Sequence, residues 1–233
     1  MKNILQPIFH LTLFEYMLWL FSSMCVTVSF FVFGAENYMS LATSLVGVTF
    51  LIFIARGAVL GEILTVLFSI LYAIVSFKLK YYGEMITYLF MAAPVATFSA
   101  ISWLRHPYDK EKSEVRVANI TKKTVLLLIL ITAAVTFIFY FILKYMGTSN
   151  LAVSTVSVAT SFIASSLQFL RSPYYAVGYA TNDIVLIVLW TFASFSSTSY
   201  IPMVVCFLMF LLNDIHGFIS WLKMRKRQNS TNC

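Results

Sequence analysis

Eight long apolar runs, with little chain between them, decide what this sequence can become. They fall at roughly 16–34, 41–55, 58–77, 84–104, 124–146, 150–170, 173–195 and 199–222. A helix of about 20 apolar residues crosses the hydrocarbon of a bilayer. Lipid admits only elements whose backbone groups bond among themselves. A barrel strand would show about ten residues of alternating character, whereas these runs are continuous. The expected product is an all-α polytopic membrane domain with eight transmembrane helices. Only 11% of the residues are charged, against roughly 25% in a soluble domain, and no stretch is left for a separate soluble unit.

The charges that remain are sorted by side. With the N-terminus inside, the inner loops and ends carry Lys2, Arg56, Arg105, Lys110, Lys112, Arg116, Lys122, Lys123, Arg171, Lys223, Arg225, Lys226 and Arg227. The outer loops carry Lys78, Lys80 and Lys144. Thirteen against three is the asymmetry of cytoplasmic loops, so the net charge of +7 reports topology. Both termini are expected in the cytoplasm and the chain in the cell membrane. Basic residues interleaved with exposed aromatics, the footprint of nucleic-acid binding, are absent from the sequence. The N-terminal stretch with Pro7 and His10 has neither the basic start nor the small-residue cleavage site of a removable signal peptide. Cys25, Cys206 and Cys233 form no CxxC, and nothing in the chain asks for a metal or cofactor.

A pattern occurs twice. Ile101-Ser102-Trp103-Leu104-Arg105 returns as Ile219-Ser220-Trp221-Leu222-Lys223, with the two tryptophans 118 residues apart. Each copy closes a set of three spans. Spans 2–4 map onto spans 6–8, four spans later, so the copies share one orientation. The expected architecture is 1 + (3+1+3): an N-terminal segment with an extra helix (1–40), a first three-helix bundle (41–105), a cytoplasmic loop and linker helix (106–147), a second, parallel bundle (148–227) and a disordered tail (228–233). Repeats of this kind build transporters that bind their solute where the repeats meet.

Polar groups inside the membrane mark the candidate site, because each is costly there unless paired or hydrated. Span 7 holds Asn182-Asp183 and span 8 holds Asn213-Asp214. At 1.5 Å rise per residue, Asp183 lies about 15 Å in from the inner end of span 7. Asp214 lies about 10 Å above Trp221 by the same rise. The two dipeptides are therefore expected at similar depth. Tyr175, Gly178 and Asn182 share one face of span 7 by their i, i+3, i+7 spacing, and Tyr179 and Asp183 share the stripe beside it. Structural readings stand next to these: an asparagine or aspartate can serve only an interhelical hydrogen bond, a tyrosine near a helix end can be an interfacial anchor, and glycine can let two helices approach. Pro94 is expected to kink span 4.

These residues carry a resemblance. Gly57 to Arg105, with Tyr72, Tyr81-Tyr82-Gly83-Glu84, Pro94 and Trp103-Leu104, resembles the first repeat of the PnuC vitamin transporters. Leu167 to Arg227, with Arg171, Asn182, Leu212-Asn213, Gly217 and Trp221, is similar to the second. The likeness spans about residues 41–227. It implies a fold like that of the SWEET sugar transporters, assembly as a homotrimer, and uptake of nicotinamide riboside or a related vitamin or nucleoside by facilitated diffusion. A cytoplasmic kinase then traps the solute. In nicotinamide riboside members, span 7 reads W-x-x-W-x-x-x-N; here the positions are Tyr175, Gly178 and Asn182.

The resemblance together with the membrane polar residues gives a candidate substrate-binding set. Tyr175 and Tyr179 would stack on a ring, Asn182 and Asn213 would bond its amide or ribose, and Asp183 or Asp214 would meet positive charge or donors. Tyr72, Tyr82 and Glu84 would form the opposite wall. Stacking on an aromatic is worth roughly 1–3 kcal/mol per base, and glycine at 178 frees the volume of an indole. That favours a bulkier ring, such as a deoxynucleoside, thiamine or riboflavin, while the two carboxylates favour a cationic one. Nicotinamide riboside is the family default. The other classes are a membrane binding subunit of an ATP-driven vitamin importer, an intramembrane aspartyl enzyme, and a small channel or structural protein. No phosphate-cradling GxxxxGK[ST] loop is present, and no glycine directly precedes Asp183 or Asp214 as an intramembrane aspartyl protease requires.

Overall fold

Thr12 starts the first helix with a capping box: its hydroxyl accepts from the Glu15 backbone N–H at 3.3 Å, and the Glu15 carboxylate accepts from the Thr12 N–H at 2.7 Å. The computed structural model describes residues 11–33, 38–79, 81–108, 114–148 and 150–230. Lys2, Pro7, His10, Lys80, Lys110, Lys112 and Cys233 lie outside them. Among the described residues, eight helices are long and apolar enough to cross a membrane. They are α1 (Leu13–Phe33), α2 (Tyr38–Ala55), α3 (Val59–Lys78), α4 (Tyr82–Arg105), α5 (Lys122–Tyr145), α6 (Leu151–Phe169), α7 (Tyr175–Ser194) and α8 (Ile201–Ser230).

The packing forms a circuit. α2 lies on α3, α3 on α4, α4 on α6, α6 on α7, α7 on α8, and α8 returns to α2. α1 covers the α2–α8 side, and α5 lies against α6. Only Thr132 and Leu143 of α5 are buried, and Leu126, Leu130 and Phe137 are more than half exposed. Such a surface suits hydrocarbon rather than water.

Two turns repeat each other at the basic end. After α2, Gly57 N–H donates to Ile54 O at 2.8 Å and Ala58 N–H to Phe53 O at 3.0 Å; after α6, Arg171 N–H donates to Gln168 O at 2.9 Å and Ser172 N–H to Leu167 O at 3.0 Å. The second turn residue is left-handed in both, with φ of 66° at Gly57 and 57° at Arg171. Glycine meets that geometry without strain and arginine does not.

Two expectations need correction. α4 does not simply kink at Pro94: it widens into a π-turn over Tyr88–Ala92, because proline has no N–H for the carbonyl of Phe90, four residues back. The tail expected from 228 instead continues α8 to Ser230. Gln228 is buried because the loop wraps it: Val117 N–H donates to its Oε1 at 2.9 Å, and its Nε2 donates to Glu114 Oε1 and Val115 O at 2.8 and 3.0 Å. Arg227 pairs with Glu114 beside it.

Candidate functional site

Glu62 on α3, Glu84 on α4, Asp183 on α7 and Asp214 on α8 are each no more than 3% exposed in the middle of an apolar bundle. Asp183 and Asp214 face the same space from neighbouring helices. Their Oδ2 atoms have no partner among the described residues, and neither does the buried Ser69 hydroxyl. All three residues line one central cavity, to which each helix of the circuit contributes.

That cavity has two characters. Its polar lining is Asp183, Asp214, Asn182, Ser69, Ser161 and Ser165, and its aromatic lining is Phe50, Phe68, Phe210, Tyr88 and Tyr179. The three phenylalanines form one cluster, their ring centroids 5.1, 5.5 and 5.9 Å apart. Asn182 is held by α6: its Oδ1 accepts from Thr160 Oγ1 at 2.8 Å and Ser161 Oγ at 2.9 Å. The amide NH₂ is left as its remaining polar group. The free space is about 40 Å³, far below the roughly 300–1,000 Å³ of an open small-molecule site, so a ring enters only if the helices part.

Aromatic layers close the cavity at both ends. Toward the basic end, Trp103 packs on Trp221 at 5.4 Å, Trp221 on Tyr175 at 4.9 Å, and Tyr175 on Tyr179 at 6.2 Å. Toward the far end, Trp190 packs on Tyr81 at 4.7 Å and on Tyr200 at 5.9 Å. Trp190 Nε1 there donates to the Tyr72 hydroxyl at 2.9 Å.

Of the nine residues expected at the site, Tyr179, Asn182, Asp183 and Asp214 line the cavity together. Tyr175 and Tyr72 belong to the layers that close it. The other three are elsewhere. Asn213 points at α1, donating from Nδ2 to Ser22 Oγ at 3.0 Å and to its own helix at Met209 O at 2.7 Å. Tyr82 packs on the exposed Phe77 at the bundle's periphery. Glu84 sits between α4 and α6 against Ser157. Gly178 also departs from expectation. A Cβ there would lie 2.9 Å from Ala164 Cα, so the space of the missing indole is filled by the backbone of α6 and is not available to a solute.

Glu62 is the residue that sequence reasoning should have found. Its Oε2 accepts from Gln168 Nε2 at 2.8 Å across the bundle, while its Oε1 has no partner among the described residues; an acid inside an apolar run is itself a signal. Phe50, Phe68 and Phe210 gave no such signal, because they are three of 22 phenylalanines.

Comparison with known proteins bears on the fold and the family. The family model described as nicotinamide mononucleotide transporter matches residues 37–223. The chain is 26% identical over 215 residues to the nicotinamide riboside transporter PnuC of Neisseria mucosa, covering 91% of this chain and 82% of that one. It is 22% identical over 195 residues to the protein of the same name from Haemophilus influenzae, covering 83% of each. A crystal structure of the vitamin B3 transporter PnuC superposes with a TM-score of 0.82 at 26% identity, over 94% of both chains. The chain is a multi-pass membrane protein that belongs to the nicotinamide mononucleotide transporter family, the family of the PnuC transporters.

Proposed function

We propose that this protein carries nicotinamide riboside, or a nucleoside-like solute of the same build, across the cell membrane by facilitated diffusion. The observation that carries this reading is the central cavity, lined by aromatic rings, an amide, serine hydroxyls and two aspartates and set between two aromatic layers. A flat ring stacks on such a wall, while its carboxamide and ribose meet Asn182, Ser69 and the aspartates. The pseudo-equivalent halves, α2–α4 and α6–α8, rock about this site so that one aromatic layer opens while the other stays shut.

The basic end faces the cytoplasm, in keeping with the lysines and arginines gathered there, and both termini lie on that side. Bundles joined by α5 as a linker, as in the SWEET transporters, fit the packing circuit. A homotrimer and a cytoplasmic kinase that traps the solute complete the arrangement that the family resemblance implies. Gly178 offers no support for a larger flavin-like ring, since its free volume is occupied by α6.

Proteoliposomes containing only this chain test the reading. Labelled nicotinamide riboside should equilibrate across the membrane without ATP, and thymidine, thiamine and riboflavin should compete weakly. No uptake without a partner ATPase would favour the importer-subunit alternative. Accumulation driven by an imposed pH gradient would overturn facilitated diffusion.

A further inference from the structure

The doubled pattern that ends each repeat lines a groove in both halves. Ile101, Ser102 and Arg105 of α4 face a groove shared with Phe162 and Phe169 of α6. Ile219, Ser220 and Lys223, at the equivalent positions of α8, face a second groove shared with α1. The two measure about 490 and 670 Å³, within the roughly 300–1,000 Å³ of a site that holds a small molecule. The α4–α6 groove opens on the outer surface of the bundle, where Phe98 in its lining is 60% exposed and the solvent is hydrocarbon. From Phe98 to Arg105 it runs about 10 Å along α4, and Arg105 is the last residue of that helix. The apolar lining therefore gives way to a guanidinium where lipid headgroups begin. Arg105 makes no ion pair among the described residues, and no acidic residue among them lines the groove. His106 stands beside it, its Nδ1 donating to Ser102 O at 2.8 Å. The α1 groove differs here: Glu15 lines it and pairs with Arg56 at 3.3 Å. An arginine at a helix end can serve as an interfacial anchor and no more; the groove that leads up to it is what adds a ligand. A phospholipid carries the matching order of groups, a methylene chain and then an anionic phosphate, and arginine suits phosphate.

We infer that the α4–α6 groove binds an anionic phospholipid, its acyl chain along Phe98, Phe162 and Phe169 and its phosphate on Arg105 and His106. Basic pockets between transmembrane helices hold anionic headgroups in this way. α4 and α6 belong to different halves, so the lipid lies across the seam that Trp103 braces by its bond to Gln168 O at 3.2 Å. The site stands apart from the central cavity and does not depend on which solute that cavity takes.

The experiment titrates the detergent-purified protein with phosphatidylglycerol and with phosphatidylcholine of the same acyl chains, and native mass spectrometry counts bound lipid and subunits. The wild type should hold its tightest phosphatidylglycerol at least about fivefold more strongly than phosphatidylcholine. Arg105→Gln should weaken that lipid about threefold or more and Arg105→Glu about tenfold, with phosphatidylcholine unchanged. Lys123→Gln, which removes an exposed charge from the same end but outside both grooves, should leave both lipids as they were. Equal binding of the two lipids by the wild type, or an equal loss in Lys123→Gln and Arg105→Gln, overturns the inference. So does competition by glycerophosphate at the concentration of the lipid, which would mark a site for free phosphate. If Arg105→Glu changes the number of subunits while phosphatidylglycerol binding stays the same, a second copy of the chain covers the groove and the inference falls. Melting curves check folding, and if Arg105→Glu does not fold, Arg105→Gln decides.

Discussion

Trp103 and Trp221 pack on one another, centroids 5.4 Å apart and planes inclined at 51°, and each indole is tied to the opposite half of the molecule. Trp103 Nε1, at the end of α4, donates to Gln168 O of α6 at 3.2 Å. Trp221 Nε1, near the corresponding point of α8, donates to Ile54 O of α2 at 2.8 Å. Ile54 and Gln168 are the penultimate residues of their helices, so the two braces are equivalent in position as well as in chemistry. Together they hold the basic end shut.

Substituting Trp221→Phe or Trp103→Phe keeps most of the ring packing and removes the N–H. Ile54 O and Gln168 O keep their turn bonds from Gly57 and Arg171, so what is lost is one buried hydrogen bond, about 0.5–1.5 kcal/mol net, and for a chain of this size each 1 kcal/mol lowers the melting temperature by roughly 2–4 °C. Each variant should melt several degrees below the wild type, and the pair should lose less than the sum because the two rings touch. Melting curves in detergent check this; additive losses would mean that the braces act separately.

The architecture was legible because its physics is coarse. Eight runs of hydrocarbon length give eight helices wherever the ends fall, and the actual ends moved by a few residues, as at Leu13 and Tyr38. The shared depth of Asp183 and Asp214 was readable from the helical rise alone. Rotation about the helix axis did not. Asn213 and Asp214 are adjacent and equally deep, but about 100° separates them on a helix with 3.6 residues per turn. One therefore faces Ser22 of α1 and the other the cavity. Gly178 shares a face with Asn182, and that face abuts α6 at one turn and opens on the cavity at the next. Such choices depend on which neighbour arrives, which a single helix's pattern does not contain.

Gly178 tests that lesson directly. With Ala164 Cα 2.9 Å from the point a Cβ would occupy, Gly178→Ala forces α6 and α7 apart at a cost of about 1–3 kcal/mol. Gly178→Trp, which restores the W-x-x-W spacing in part, should be worse folded and should not bind nicotinamide riboside more tightly. Thermal-shift titration reads both. A stable Gly178→Trp protein with tighter binding would place this position in the solute's path.

Asn182 and Asn213 separate recognition from scaffolding. Asn213→Ala removes the bond to Ser22 on α1 and should lower stability by about 1 kcal/mol while leaving ligand affinity within about twofold of wild type. Asn182→Ala takes an amide from the cavity wall, strips Ser161 of its acceptor and leaves Thr160 only the carbonyls of its own helix. It should weaken binding about tenfold or more, the worth of one well-made polar contact near 1.4 kcal/mol. Isothermal titration alongside melting distinguishes them. A tenfold loss of affinity in Asn213→Ala would return that residue to the site.

The far aromatic layer should govern rate more than affinity. Trp190 stands outside the cavity lining; it bonds the Tyr72 hydroxyl at 2.9 Å and packs on Tyr81 and Tyr200. Trp190→Phe removes that single bond, worth about 1 kcal/mol, from whichever conformation keeps the layer closed. The closed–open equilibrium then moves by about fivefold toward the state open at the far end. Counterflow rates in proteoliposomes should change severalfold, while equilibrium binding shifts by no more than the change in the population of the binding-competent form. Tyr72→Phe removes the same bond from the other side and should behave alike. If the two variants differed strongly, or if either abolished binding while leaving the fold intact, the layer would be part of the recognition surface rather than the door to it.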